Sequence, residues 1–454
     1  MPGADVLEGA EERYTHAVVA FVGEDGYPMS VATEFRVDAE RNRLLLRPFT
    51  PAPPPGTEVD VTLSHIRPQP GVGYDERRYA QAWGPLRPNG GQFEVPIERT
   101  QGWDEQDMPF FEYSERGVAQ AHRYLGALSK ERGTRVRPRL AAGWLFLRAT
   151  RLPFLTATFV PVALGSAVAA ANGPFHWWLA LLTLLGGAFV HLGLNVANDV
   201  FDTMSGADQA NTTPTQFSGG SRVIHYGLIS MRGMALLATA FYAAGAAIGV
   251  FLAVDRGFWP LIGLGAAGMA ISLAYTAPPL RLVHRGVGEI AVALGFGPIM
   301  VLGAFYVQAQ RFTWEAGFVS IPVAILIALV LYVNEIPDRA GDRAAGKRTL
   351  PVRLSRRAVI AVYVAAVAVA YLAIAAGALS GLMVHAALIG LVTIPMAARV
   401  ARELGESYEN PYGLMPAMAR NIKLHLFTGM LLVAAYTAAA IAAHTMAHPP
   451  LFLR

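Results

Sequence analysis

The chain has 454 residues and a net charge of +4; 53% of its residues are hydrophobic and its mean hydropathy is +0.36. That is too apolar for an ordinary soluble protein. The basic residues sit in loops beside apolar segments, which gives no indication of nucleic-acid binding, and the lack of cysteine excludes disulfides, thiol catalysis and Cys-metal sites.

The opening residues, Met1-Pro-Gly-Ala-Asp-Val-Leu-Glu8, are polar and acidic and are not those of a signal peptide, so the first domain is expected to stay in the cytoplasm. His16–Val22 and Met29–Val37 read as strands around a turn cluster, Gly23-Glu-Asp-Gly-Tyr-Pro28. Arg43–Arg47 and Val59–Ile66 read as further strands. Arg78–Leu86 and Gln92–Ile97 are expected to pair across Pro88-Asn-Gly-Gly91, an Asn-Gly hairpin signal. Glu112–Glu131 has a helical pattern. The expected product is a small β-barrel with an added helix over residues 1–128, followed by a basic linker, 129–142.

From Trp144 onward, apolar runs long enough to cross a bilayer recur. They predict an all-α polytopic membrane bundle over 143–447 with nine spans, at 144–171, 175–197, 233–254, 258–275, 286–308, 314–335, 357–379, 381–399 and 423–443. Arg135, Arg137 and Arg139 precede the first span, and Arg281 and Arg285 follow the fourth. Arg339, Arg343, Lys347, Arg348, Arg353, Arg356 and Arg357 follow the sixth, while Arg399, Arg402, Arg420 and Lys423 precede the ninth. The alternate loops carry little besides Arg256, Arg311 and Arg454. By the positive-inside rule the N-terminus is cytoplasmic and the C-terminus lies on the opposite face of the cell membrane.

Two acidic clusters fall on the cytoplasmic side: Asn195-Val-Ala-Asn198-Asp199-Val-Phe-Asp202, continuing to Asp208, and Asn334-Glu-Ile-Pro-Asp338-Arg-Ala-Gly-Asp342. Carboxylates at a membrane boundary are costly and mark function by default. Asn195, Asn198, Asp199 and Asp202 share a helix face, as do Asn334, Asp338 and Asp342. Pro337 is expected to distort the second helix and loosen its end into a loop. Two such faces suit one site holding a divalent metal, Mg²⁺, and a diphosphate. Arg281, Lys347, Arg348 and Arg222 suit the same anion, and the Gly-rich loop Asn211–Arg222 offers backbone amides to phosphate. Arg148 and Arg151 either reach this cavity or snorkel to headgroups. Tyr275, Phe296, Tyr306 and Tyr332 either face a carbocation or pack in core and lipid.

These motifs resemble those of the UbiA superfamily of intramembrane aromatic prenyltransferases. Asn198-Asp-Val-Phe-Asp202 is similar to its first Asp-rich motif and Asn334–Asp342, running on through Arg343-Ala-Ala-Gly-Lys-Arg-Thr-Leu350, to its second. Tyr275-Thr-Ala-Pro-Pro-Leu-Arg281 with Gly286-Val-Gly-Glu289 is similar to a third signature. The resemblance covers residues 144–443. The six-residue step from Asp202 to Asp208, and Ser218-Gly-Gly-Ser-Arg-Val-Ile-His-Tyr-Gly-Leu-Ile-Ser230, resemble the menaquinone-pathway branch that prenylates 1,4-dihydroxy-2-naphthoate. The resemblance implies Mg²⁺ at Asn198, Asp202, Asp208, Asn334, Asp338 and Asp342, with Asp199 beside them. It implies catalysis by Asp202, Asp338 and Arg281, the last on the diphosphate. Asn195, Asn198, Arg222, Tyr275, Lys347 and Arg348 are the implied substrate contacts. Ala17-Val-Val-Ala-Phe-Val-Gly-Glu-Asp-Gly-Tyr-Pro-Met-Ser-Val31 resembles the split-barrel family related to pyridoxamine phosphate oxidase, which leaves open whether the barrel holds FMN or a related flavin, or nothing.

The expected partners are a polyprenyl diphosphate, an aromatic acceptor and the bilayer, with no nucleic acid. Three alternatives stand beside this reading: another acceptor such as 4-hydroxybenzoate, a membrane-anchored flavin-dependent redox protein, and an ion-coupled transporter. The transporter is disfavoured, because its sites lie near the bilayer midplane.

Overall fold

Alternating burial along Ala17–Val22 (β1) shows the period of two expected of a strand with one face in a core. In the computed structural model, which describes residues 4–445 except 24, 70–72, 135, 137–140, 212 and 216, the chain forms two compact units, Met1–Val118 and Ala119–Arg454. Arg135, Arg137, Arg139 and Arg454, Glu24 of the first turn, and Thr212 and Gln216 of the Gly-rich loop lie outside the described residues.

Among the described residues of the first unit, two short helices, Ala4–Leu7 (α1) and Ala10–Arg13 (α2), precede nine strands. They are β1, Pro28–Thr33 (β2), Phe35–Asp38 (β3), Arg43–Leu46 (β4), Glu58–Gln69 (β5), Gly73–Pro85 (β6), Arg87–Asn89 (β7), Gln92–Pro96 (β8) and Arg99–Asp104 (β9). They form two antiparallel sheets, ordered β2-β1-β5-β6-β9 and β3-β4-β8-β7. Both sheets contribute to one apolar core, with Val19 and Phe21 of β1, Leu44 and Leu46 of β4, and Val61 and Leu63 of β5. The stretch Met29–Val37, expected as one strand, is split at Glu34, where the chain passes from one sheet to the other. The Asn-Gly turn joins β7 to β8, not Arg78–Leu86 to Gln92–Ile97; β6 instead pairs with β5 and β9. Short β7 lets the turn close locally, which is the register a tight turn favours. The expected helix runs from Phe110 to Arg132 (α3).

The second unit is helical. After α3 come Ala142–Thr150 (α4), Thr156–Ala171 (α5), Trp177–Ser205 (α6), Ala207–Ala210 (α7), Met231–Arg256 (α8) and Phe258–Thr276 (α9). Gly288–Leu294 (α10) continues through a π turn, Gly295–Ile299, into Met300–Ala309 (α11). Trp314–Ala344 (α12), Leu350–Arg353 (α13), Arg356–Ser380 (α14), Ile394–Ser407 (α15) and Met415–Thr445 (α16) complete it. Side-chain oxygens of Ser230, Thr313 and Ser355 accept a backbone N–H at the starts of α8, α12 and α14.

Among the described residues seven helices are long and apolar enough to cross a bilayer, where the apolar runs predicted nine: α6, α8, α9, Gly288–Ala309, α12, α14 and α16. The segment 144–171 is broken at Arg151, whose φ of 52° ends α4 and starts a 3-10 turn, leaving α5 with 16 residues. The segment 381–399 is a 3-10 stretch, His385–Thr393, that runs into the shorter α15. The expected loosening at Pro337 does not occur. Helix α12 runs through both Pro322 and Pro337, since proline fits helical φ and forfeits a single hydrogen bond.

Close helix approach holds the bundle. A Cβ on Gly165 of α5 would stand 2.3 Å from the Val301 carbonyl oxygen of α11. Around that contact Val160, Leu164, Phe305, Val319, Ile374 and Tyr436 form a shared core of α5, α11, α12, α14 and α16. Gly165→Val is therefore expected to cost about 2 kcal/mol or more through overpacking. Gly317→Ala, where a Cβ meets nothing within 4 Å, is expected to be neutral; thermal unfolding of both variants in detergent checks the contrast.

Candidate active site

Helix α6 carries the first acidic face to its end. Asn198 Nδ2 donates to Asp202 Oδ2 at 2.9 Å, one turn on. The helix stops at Gly206, φ 80°, a left-handed residue that glycine adopts without strain. That reversal begins α7 and brings Asp208 back, where Thr203 Oγ1 donates to its Oδ2 at 3.1 Å. On α12, Asn334, Asp338 and Asp342 follow at successive turns.

The two faces are strapped together crosswise. Lys347, beyond the end of α12, sets Nζ 2.8 Å from Asp202 Oδ1 and 3.7 Å from Asp342 Oδ1. In return, the loop after α7 caps Asp338: Asn211 Nδ2 donates to Oδ1 at 2.8 Å and the Gly219 amide to Oδ2 at 2.9 Å. Gly220, φ 74°, passes between carboxylates, for a Cβ there would lie 3.0 Å from Asp208 Oδ1 and 3.1 Å from Asp199 Oδ1.

These groups line one cavity of about 650 Å³, mouth included. Of the predicted residues it holds Asn198, Asp202, Asp208, Tyr275, Asn334, Asp338, Asp342 and Lys347. Asn334 Oδ1 is buried there without a hydrogen-bond partner among the described residues. Among the described residues no three His, Asp or Glu side chains converge as a ready metal cage. A second cavity, about 1100 Å³ with its open mouth included and strongly apolar, runs among α5, α6, α8, α9 and the α10–α11 segment. Tyr275 lines both.

The remaining predicted residues have other surroundings. Asn195 Nδ2 donates to the Thr150 carbonyl at 3.1 Å, tying α6 to α4. Asp199 is buried and accepts the Ser221 amide at 3.1 Å and the Ser221 hydroxyl. Arg222 bonds the carbonyls of Asn211 (2.5 Å) and Gly219 (3.3 Å), clamping the loop from behind. Arg281 and Arg348 are not among the lining residues. The charge of Arg281 is felt at His284, whose Nε2 lies 3.9 Å from Asp202 Oδ1. Arg348 has an exposed side chain, and its amide donates to the His284 carbonyl at 2.9 Å. Arg151 lines the acidic cavity and donates to the Phe217 carbonyl at 3.1 Å; Arg148 Nε donates to that of Ser221. Phe296 lines the apolar cavity. Tyr332 instead donates to the Val359 carbonyl within the core, whereas Tyr306 is half-buried against the exposed Phe312.

Sequence reasoning passed over Glu335, which lines the acidic cavity, and Glu289, which neighbours it. Both stood inside the quoted motifs, but period counting favoured the Asn–Asp face.

Burial pushes the Asp208 carboxyl from its ordinary 3.8 up to about 8, with the charges of Asp199 and Asp202 adding and those of Arg222 and Lys347 opposing. For Lys347 burial lowers the ammonium's pKa, but Asp202, Asp342 and Asp338 outweigh it and hold it above the ordinary value.

Residues 158–410 match the model of the UbiA prenyltransferase family. Similar proteins include a 2-carboxy-1,4-naphthoquinone phytyltransferase of Synechocystis sp., 30% identical over 64% of this chain and 92% of that protein. A 1,4-dihydroxy-2-naphthoate octaprenyltransferase of Bacillus subtilis is 26% identical over 64% of this chain and 91% of its own length. One of Mycobacterium tuberculosis is 33% identical over 53% and 79%. Among solved structures, a UbiA homologue from Archaeoglobus fulgidus bound to DMAPP and Mg²⁺ aligns with a TM-score of 0.48 at 17% identity, covering 64% of this chain and 99% of that one.

Two outcomes follow from the charges. An unfolded Asp208 ionises near 3.8 and the folded one near 8, so this group costs stability as pH rises through that window. In Mg²⁺-free buffer, Asp208→Asn is expected to unfold at a higher temperature than the parent, by a margin that widens between about pH 5 and about pH 9; a constant margin contradicts the assignment. Lys347→Met is expected to destabilise by about 3 kcal/mol. Combined with Asp202→Asn it should cost less than the two singles summed, a coupling readable by a double-mutant unfolding cycle.

Proposed function

The chain belongs to the UbiA prenyltransferase family, and on that premise we propose that it transfers a polyprenyl group from its diphosphate to an aromatic quinone precursor, 1,4-dihydroxy-2-naphthoate, with Mg²⁺. The observation that carries the proposal is the convergence of the α6 and α12 acid faces on one cavity that meets an apolar cavity at Tyr275. The acceptor is supported by the relatives, several of which are named for naphthoate or naphthoquinone substrates.

Mg²⁺ fits the donor set. Asn198, Asp202, Asp208, Asn334, Asp338 and Asp342 offer only oxygen, the ligand type this ion takes, and Asn334 Oδ1 is buried and unpaired. A site spread over two helices suits an ion that shares its ligands with phosphate and water. When bound, Mg²⁺ supplies positive charge to the departing diphosphate.

The chain's own residues do the rest. Lys347 and Arg151 line the acidic cavity as cations and stabilise charge that grows on the diphosphate as the allylic C–O bond breaks with its electron pair. Arg281 and Arg348 stand outside the cavity lining and add only positive charge from the loops. The loop spends its Gly219 and Ser221 amides on Asp338 and Asp199, which holds those acids in place without side-chain entropy. The hydrocarbon tail occupies the apolar cavity, which keeps water from the allylic cation. The acceptor's ring carbon supplies the electron pair for the new C–C bond, and loss of CO₂ from that carbon returns a pair to the ring. Residues 143–447 form the transferase unit in this reading, with the site and the N-terminal unit on the cytoplasmic face of the cell membrane.

The test is transfer by purified protein in nanodiscs. It uses labelled polyprenyl diphosphate and Mg²⁺, with 1,4-dihydroxy-2-naphthoate, 4-hydroxybenzoate or no acceptor. Mg²⁺-dependent product with the naphthoate and release of its carboxyl as CO₂ are expected, with turnover falling about 100-fold or more in Asp202→Asn and Asp338→Asn. Parent-like turnover by both variants would overturn the proposal; product with 4-hydroxybenzoate alone would replace the acceptor.

A further inference from the structure

Glu335 is the unexplained group in this site. It lines the acidic cavity yet is only 6% exposed, and among the described residues no hydroxyl, amide or cation donates to either of its carboxyl oxygens. Glu289 of α10, 8% exposed, lies against it at hydrogen-bonding reach, so the two carboxyls can share one proton, and Glu289 Oε1 has no other donor among the described residues. Buried carboxyl oxygens without a donor are costly, and one proton shared between the two acids leaves oxygens of the pair unserved, an expense that packing does not explain.

The neighbourhood indicates what relieves it. Tyr275, where the polar and apolar cavities meet, feels the charges of Glu335, Asp202 and Glu289. Glu335 therefore stands beside the point where the diphosphate head gives way to its tail. A prenyl diphosphate brings acceptor oxygens and negative charge and cannot satisfy a carboxylate. Lys347 is engaged with Asp202 and Asp342. Glu335 lies seven residues before Asp342, about 10 Å along the helix axis, and its main charged neighbour is a second acid. A hydroxyarene, in contrast, brings O–H donors.

We propose that Glu335, backed by Glu289, is the acceptor-binding subsite, receiving a ring hydroxyl of the hydroxyarene so that its carbon faces the allylic position. This rests on the aromatic-acceptor reading above. The hydrogen bond to a carboxylate fixes the ring's orientation and makes the site select for a free hydroxyl over an ether.

Equilibrium binding to the full chain in nanodiscs, under reducing conditions, tests this without turnover. The probes are 1,4-dihydroxy-2-naphthoate and its 1,4-dimethoxy counterpart. The parent is expected to bind the dihydroxy probe about 10-fold more tightly than the dimethoxy probe. Glu335→Leu should remove that preference by weakening the dihydroxy probe alone. Glu335→Gln, which keeps a carbonyl acceptor, should retain part of it. Equal affinity of the parent for the two probes overturns the inference, a result that does not require any variant to fold. So does equal weakening of both probes in Glu335→Leu, or a shifted Mg²⁺ requirement with the preference intact. Because no transfer is measured, an inactive enzyme that keeps the Glu335-dependent preference would refute the proposed reaction and sustain this subsite.

Discussion

The ammonium of Lys347 between Asp202 and Asp342 is the interaction on which the rest of the site depends. Carboxylates brought together from two helices in a low-dielectric bundle repel strongly, and a cation must stand between them before any substrate arrives. The loop after α7 answers from the other side by hydrogen-bonding both oxygens of Asp338. Each cluster is thus restrained by a segment that follows the opposite cluster's partner helix or loop, and the helix ends cannot splay. Arg222 and Asp199, predicted as ligands, support that loop from behind.

Much of this was legible in the chain. Apolar run length has a direct physical cause, so the long helices were visible. The Asn-x-x-x-Asp spacing placed Asn198 with Asp202, and Asn334 with Asp338, on common faces because helical period is local. What was hidden depends on tertiary partners. The run 144–171 gives no sign that Arg151 adopts a left-handed φ, and 381–399 gives none that part of it winds as a 3-10 stretch. Residue type does not reveal that Asn195 spends its amide on the Thr150 carbonyl, or that Tyr332 spends its hydroxyl on that of Val359. In the first unit, the switch of sheets at Glu34 was invisible for the same reason, since Met29–Val37 has strand composition throughout.

The bundle also shows how small residues and acids divide the work. Where helices approach, as at Gly165 and Val301, missing side chains allow contact. Where polar groups concentrate, helix ends and loops replace continuous helix, and Gly219 and Gly220 supply the backbone freedom. The apolar cavity belongs to the former regions and the acidic cavity to the latter.

The junction of those cavities at Tyr275 has a consequence for what leaves the site. In the proposed reaction, breaking one bond of an amphiphile there yields an inorganic anion and a larger oil. The anion is released among charged loops, at the end where water is its solvent. The oil already lies between helices, in the phase that dissolves it. The proposed reaction is therefore a partition step as well as a transfer, and neither product has to traverse the environment suited to the other.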